Sequence, residues 1–305
     1  MRRLFKHLIP VRRDGNHPPL FLVHSILGEL TWLPMLAHEL DEGWPLFGFA
    51  APGLNSDEPF FTSLEGMAAA YLDSMRQQQP HGPYVLGGYS FGGIVAFEMA
   101  RQLQRIGERV DALILIDSFA PHAAMKQRLD GWMREGLFLQ VIANQLALQW
   151  KAMELLPAGL LAQDGDAATQ CVTAARHLLA HCDVPYSFEV VHTYLDRGMT
   201  VMQAHAALLA GYQPSPLAAD VRTLLLHNTL GFIGRDSVLL LPDLPDEERD
   251  PDHGWDALLP TPPLRMGLEA EHFMIGTPKV MAMVARAMER FLLPEQADVV
   301  DDGTA

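Results

Sequence analysis

Cysteine is almost missing from this chain of 305 residues, which has only Cys171 and Cys182. Two cysteines cannot build a disulfide framework, which excludes the small stapled folds of secreted proteins and predicts a reducing, cytoplasmic setting. Long apolar runs are missing as well. No stretch reaches the ~20 residues that a spanning helix needs, and the apolar part of the basic opening "MRRLFKHLIPVRRDG" is too short for a signal peptide. No membrane association is expected. Positive charge is scarce too: 22 Lys and Arg against 37 Asp and Glu leave a net charge of −15. That balance argues against nucleic acid as a partner, since binding there depends on cations that neutralise phosphates. No internal repeat is visible.

What is present is apolar residue in quantity, 49% of the chain, enough for a large core. "PLFLVHS" (Pro19 to Ser25), "WPLFGFAAPGL", "YVLGG" and "VDALILIDS" (Val110 to Ser118) are short apolar runs bounded by turns, as buried strands are. Between them lie helical patterns. "WLPMLAHEL" has Pro34 near its start. "TSLEGMAAAYLDSMRQQQP" has Thr62 or Ser63 as N-cap and places Leu64, Met67, Ala68, Tyr71, Leu72 and Met75 on one face. A third helix is predicted from about Phe91 to Ile106, closed by Gly107. Strands alternating with amphipathic helices predict an α/β fold, mostly a parallel sheet with helices on both faces.

The rhythm breaks from about Phe119 to Pro216, which reads as helical throughout. One stripe there runs through Phe188, Val191, Leu195, Met199, Met202, Ala206 and Leu209. Strands return at "VRTLLLHN" (Val221 to Asn228) and within "PLRMGLEAEHFMI". A last helix starts at Thr277 as N-cap with Pro278 at N1. The reading is therefore one domain: a core over about 15–118 and 217–293, an inserted helical lid over about 119–216, and a flexible tail over 294–305. "PDLPDEERDPDHG" reads as an acidic, solvated loop.

The chemistry starts in "PYVLGGYSFGGIVAFEMARQLQRIGE". Gly88-Tyr89-Ser90-Phe91-Gly92 matches G-x-S-x-G, with a predicted strand before it and a predicted helix after it. Such a turn presents the serine hydroxyl at the sheet edge and at a helix N-terminus, where N–H groups can meet an oxyanion. Serine needs a base, and the base needs an orienting carboxylate, in the chain order nucleophile, acid, base. Asp117 closes the strand after the Ser90 helix, at the sheet end where sites form; the alternative is a cap for "DSFAP". Among 13 histidines, His272 follows the last strand and precedes the last helix, with His253 and His227 in reserve. The second oxyanion donor is expected from the loop "HSILG": the N–H of Ile26 beside that of Phe91. His24 is read as a residue that shapes this loop. Cys171, His177, His181 and Cys182 fall within a dozen residues, as metal ligands can, but they lack paired C-x-x-C or H-E-x-x-H spacing, so no metal is expected.

"PPLFLVHSILGE", "FGFAAPGL", the long segment from Thr62 to Ser118, "LLAGYQP" and "EHFMI" closely resemble the thioesterase domains that end nonribosomal peptide synthetases and polyketide synthases. The resemblance is dense from about Leu8 to Ser118 and thinner through the helical block. It implies an α/β-hydrolase fold with a helical lid, and Ser90, Asp117 and His272 as a triad served by Ile26 and Phe91. It also implies an acyl or peptidyl carrier protein as partner, upstream in a longer synthase within which Met1 would be an internal start. The carrier's phosphopantetheine arm delivers the chain in natural-product biosynthesis, and the domain binds no cofactor of its own. Release to water, macrocyclisation and transfer to an external nucleophile all stay open. So do a stand-alone editing thioesterase, a general carboxylesterase and an inert binding module.

Three departures from the family pattern stand out. Ser25 and Leu27 replace the proline and first glycine of His-Pro-x-Gly-Gly, Glu271 replaces the aspartate often found before the histidine, and the acidic loop from about Asp236 to Gly254 is long. Editing relatives often take their acid from the strand "LLLHN" onward, where Asp236 is the nearest downstream carboxylate.

Overall fold

The computed structural model describes residues 6–293 except 55, 135, 158, 162–165 and 232–252, so the tail and the acidic loop up to residue 252 lie outside the described residues. The strands β1 (Leu8–Arg12), β2 (Leu20–Val23), β3 (Leu46–Phe49), β4 (Tyr84–Tyr89), β5 (Val110–Ile116), β6 (Arg222–Asn228) and β7 (Leu264–Leu268) form one sheet. Their order is β1-β3-β2-β4-β5-β6-β7. All neighbours are parallel except β1, which pairs antiparallel with β3 at the edge. The sequence pattern misses β1. Pro10 sits inside it and only Leu8 is buried, so neither alternation nor an apolar run marks it.

Helices cover both faces. Period-two alternation sends Phe21 and Val23 of β2 to one face and Leu20 and Leu22 to the other. The first face packs under α2 (Leu64–Gln78) and α3 (Phe91–Arg105), the second under α1 (Leu33–Glu39) and α8 (Pro278–Leu292). The six apolar positions expected on the second helix are all buried, and Ser63 caps it by accepting from the Gly66 N–H. Thr277 occupies the N-cap position of α8, but its hydroxyl donates to Met274 O at 2.8 Å instead of capping. Strand β5, an inner strand between β4 and β6, is closed on both sides, with Leu113, Ile114, Leu115 and Ile116 fully buried. Each such side chain contributes about 1.5–3 kcal/mol.

Between β5 and β6 run α4 (Ala123–Arg134), α5 (Leu137–Gln149), α6 (Ala167–His181) and α7 (Phe188–Gly211). Val191, Leu195, Met199, Met202 and Leu209 of the α7 stripe are buried and join the core of the α2/α3 face. Core packing therefore accounts for most of that stripe. Where α7 ends, the Tyr212 hydroxyl donates to Glu98 at 2.7 Å. Glu98 is a fully buried carboxylate on α3, also held by Arg101 and Gln102. This bond fastens the exit of the helical block to the helix that begins after Ser90.

Candidate active site

Ser90 sits between β4 and α3 with φ 56° and ψ −119°. Positive φ is strained for a residue with a Cβ, at a cost of about 1–3 kcal/mol, and neighbours hold it in place. Its N–H donates to Ile116 O at 2.8 Å, and its carbonyl accepts from Gly93 at 3.0 Å. The flanking glycines are needed because the turn is so tight. A Cβ on Gly88 would lie 2.3 Å from the Gly92 carbonyl carbon, and one on Gly92 would lie 2.4 Å from the carbonyl oxygens of both His24 and Val23. Helix α3 then starts at once, so the Phe91 N–H is one of the four that no intrahelical carbonyl can satisfy.

Parallel register carries the next residue to the same edge. Tyr89 pairs with Ile116, and Ile116 with Leu226, so Asp117 emerges beside Ser90. Asp117 is fully buried and also has positive φ, 46°. Its Oδ2 lies 2.7 Å from Nδ1 of His272. Because a carboxylate oxygen accepts, Nδ1 is the donor. Asn228 supplies more donors: its backbone N–H reaches Oδ1 at 2.8 Å, and its Nδ2 reaches Oδ2 at 2.8 Å. Burial alone would push the Asp117 carboxyl up. The bond from His272, the charges of His272 and His253, and the Asn228 bond outweigh it and hold the carboxyl below its usual range. His272 itself stands in a short 3₁₀ turn after β7, and the Tyr89 hydroxyl donates to its carbonyl at 2.6 Å.

The loop after β2 accommodates its departures with side-chain bonds. Ser25 Oγ accepts from the Leu27 N–H and donates to Glu29, both at 3.3 Å. Gly28, at φ 77°, closes the turn by donating to Ser25 O at 3.0 Å. His24 is fully buried, with Nδ1 2.6 Å from Ser25 O and Nε2 2.7 Å from the Tyr71 hydroxyl. It shapes the loop, as the sequence reading expects.

Two cavities meet at Ser90. A cleft of about 450 Å³ is lined by Ser25, Ile26, Glu29, Ser90, Tyr194 and His272 among others. A narrow slot of about 40 Å³ on the other side is lined by Phe91, Phe119, Met125, Leu129, Trp132, Phe138 and Leu209. Ile26 and Ser90 border both. The walls of the slot come from α4, α5 and α7, so the helical block roofs Ser90.

The reserve histidines stand near Asp117 but take other partners. His253 stacks on Phe119 with ring centroids 4.0 Å apart, and His227 has its Nδ1 3.3 Å from Asn228 O. Asp236 lies outside the described residues. Cys171 is buried in the core, which pushes its thiol up to about 12, while His177 and His181 stack on each other at 4.3 Å. No cluster of three or more His, Cys, Asp or Glu suited to a metal ion is found among the described residues. No described helix is long and apolar enough to cross a membrane. Sequence reasoning misses Asn228 and the Tyr89 hydroxyl. It also misses His205, whose Nδ1 lies 2.8 Å from Ile26 O. Only the position of Asn228 at the end of an apolar strand hints at a role.

Malpinin synthetase of Mortierella alpina is 44% identical over 139 residues, which is 45% of this chain and 2% of that protein. The chain thus spans a small fraction of that curated relative. A holo four-domain nonribosomal peptide synthetase, solved with AMP and glycine bound, superposes with a TM-score of 0.68 at 25% identity over 93% of this chain and 20% of that one. The NocB thioesterase domain from the nocardicin cluster, in covalent complex with a fluorophosphonate nocardicin G analogue, superposes with a TM-score of 0.60 at 24% identity. That match covers 94% of this chain and all of that domain, and its fold is the α/β-hydrolase fold described above. The family model described as thioesterase domain matches residues 18–292, from the first residues before β2 through α8. The chain belongs to the thioesterase domain family.

Proposed function

We propose that this domain releases an acyl, peptidyl or polyketide chain from the phosphopantetheine arm of a carrier protein through an acyl-serine at Ser90. The observation that carries the reading is the 2.7 Å bond between His272 Nδ1 and Asp117 in the cleft that Ser90 borders. With Nδ1 donating to Asp117, the unprotonated Nε2 is the base. Ser90 Oγ attacks the thioester carbonyl, and its proton passes to His272. The tetrahedral oxyanion is met by the N–H groups of Ile26 and Phe91. The C–S bond then breaks, and the thiol leaves with the proton from His272. Water, or an amine or hydroxyl of the chain or of a second molecule, repeats the sequence on the acyl-serine with His272 as base.

The slot, walled by apolar side chains with Arg128 among them, suits the acyl chain. The larger cleft is also mostly apolar but carries Ser25, Glu29, Thr31, Gln145 and His272, and it suits the arm and the incoming nucleophile. The block α4–α7 acts as a lid over both, the lid running over about 119–216 and the core over about 15–118 and 217–293. The carrier is a domain of the same synthase, and the domain needs no cofactor of its own. Intact-mass analysis after incubation with acyl-pantetheine thioesters is the test. The expected result is one acyl adduct, absent from Ser90→Ala. An adduct at full occupancy on that variant, or hydrolysis of simple nitrophenyl esters with no thioester turnover, would sink the reading.

A further inference from the structure

Two histidines from distant parts of the chain grip consecutive carbonyls of the loop that holds Ile26. A carbonyl only accepts, so the His24 Nδ1 at 2.6 Å from Ser25 O carries the ring proton, and Nε2 accepts a hydrogen bond from the Tyr71 hydroxyl. By the same logic the His205 Nδ1, 2.8 Å from Ile26 O, is protonated and donates. Ser25 O belongs to the peptide whose N–H is that of Ile26, so pinning the oxygen aims the N–H in the opposite direction. Ile26 O belongs to the next peptide. The two bonds together fix both peptide planes flanking Ile26.

His205 also reaches the other proposed donor. Its ring stacks on Phe91 with centroids 4.8 Å apart and 12° between planes, and on His24 at 5.0 Å and 15°. It is 1% exposed, and its Nε2 is buried without a hydrogen-bond partner. A buried lone pair left unmet costs desolvation that an apolar ring would avoid, so packing alone does not explain an imidazole here. The donating Nδ1 does.

We propose that His205, reaching from α7, is a positioning residue that holds the Ile26 loop and the Phe91 ring so that both N–H groups stay aimed at the oxyanion above Ser90. This rests on the assignment of Ile26 and Phe91 proposed above. It gives the helical block a part in the chemistry besides roofing. The same helix lines the cleft through Tyr194 and the slot through Leu209, so a chain that displaces α7 also slackens the hole.

The test is the rate of Ser90 phosphonylation by a fluorophosphonate, followed by intact mass. Ser90 Oγ bonds to phosphorus, fluoride leaves, the serine proton departs through His272, and the phosphonyl oxygen occupies the same hole. His205→Phe keeps a flat stacking ring and removes the donor. His205→Asn returns an N–H close to the place of Nδ1. Outright loss of an oxyanion donor costs about a hundred- to a thousandfold, so slackening one should slow His205→Phe by about ten- to a hundredfold in maximal inactivation rate, with half-saturation unchanged. His205→Asn should recover most of that loss, with both melting points near that of the unmodified protein. His205→Phe at the original rate, His205→Asn as slow as His205→Phe, or loss of fold in both would make the ring a packing residue and overturn the proposal. Two controls separate it from the readings beneath it. Ile26→Pro, which deletes the N–H, tests the donor assignment, and turnover of acyl-pantetheine by the unmodified protein tests the thioesterase reading.

Discussion

Asn228 holds both carboxylate oxygens of Asp117, with its backbone N–H 2.8 Å from Oδ1 and its side-chain Nδ2 2.8 Å from Oδ2. The two residues close neighbouring strands, Asn228 ending β6 and Asp117 directly following β5. An amide therefore stands at the end of β6, and the proposed acid Asp117 stands one strand away. Loss of the orienting carboxylate costs about ten-thousand-fold in serine proteases, and Asp117→Asn should lower acylation of Ser90 by a comparable factor. Asp236→Asn should be mild. Adding Asn228→Asp to Asp117→Asn should restore about ten- to a hundredfold of that loss by feeding His272 from the β6 end. A double variant no faster than Asp117→Asn would show that only the β5 end reaches the imidazole. A severe Asp236→Asn would move the acid to the later strand.

The elbow makes a sharper claim about folding. A Cβ on Gly92 would stand 2.4 Å from two backbone oxygens, on Val23 and His24, and backbone cannot swing aside as a side-chain tip can. Gly92→Ala should either fail to fold or lose on the order of 3 kcal/mol or more, as overpacking of a rigid site does. Gly107→Ala is the contrast: its φ is 78°, but nothing lies within 4 Å of the added carbon. It should cost about 1 kcal/mol of backbone strain. Melting curves of the two variants decide it, and near-equal midpoints would refute the steric account.

The parts legible in the sequence are those with local signals. Strands β2 to β6 announce themselves as apolar runs, the edge strand β7 only by its place before the last helix, and the Ser90 turn through glycines whose absence of side chains the chain crossing requires. Asp117 and His272 are legible by position, one closing a strand and the other following the last one. The rest depends on residues far apart in sequence. The Asn228 bond to Asp117 spans 111 positions, and the Tyr89 bond to His272 spans 183. His205 looks like one more member of an α7 face until the register of that helix brings it 2.8 Å from Ile26 O. Periodicity tells which face is buried, and it is silent about which polar group on that face finds a partner. The edge strand β1 escapes because half-exposed antiparallel edges carry no apolar run.

Burial makes two histidines sensors of acid. Burial, and for His24 also the charge of His205, lowers His24 from an ordinary 6.5 to about 3, and burial lowers His205 to about 4. The groups facing them are each other, His7 and the Tyr71 hydroxyl, with the carbonyls of Ser25 and Ile26. The unfolded chain takes up protons near pH 6.5 while the folded protein refuses them to about pH 4. Stability therefore falls as pH drops through that window, by on the order of 3 kcal/mol per histidine. Melting points between pH 7 and pH 4 should fall less steeply for His205→Phe than for the unmodified protein. Parallel curves would mean that these rings do not carry the acid sensitivity.

The helical block should not move as one body. Its last helix is tied down by the buried stripe of α7, by His205 on Ile26 and by Tyr212 on Glu98. Helix α4 is held more lightly: Leu129 is its one buried side chain among the described residues, and Lys126 ties it to the carbonyl of Tyr212. Yet Met125, Leu129 and Trp132 of α4 form a wall of the apolar slot beside Ser90. A chain entering a slot of about 40 Å³ must push that wall outward, and the least anchored helix yields first. Hydrogen exchange with and without a non-hydrolysable acyl group on Ser90 should then show the largest change in α4, with α7 nearly unaltered. Met125→Trp, which fills the slot, should shift preference toward shorter chains while fluorophosphonate still labels Ser90. Because a closed roof excludes water, the same variant should also change the ratio of hydrolysed to cyclised product for chains that carry an internal nucleophile. Equal protection of α4 and α7, unchanged by the adduct, would make the block a rigid structural layer, and a chain-length profile untouched by Met125→Trp would place the acyl chain in the larger cleft instead.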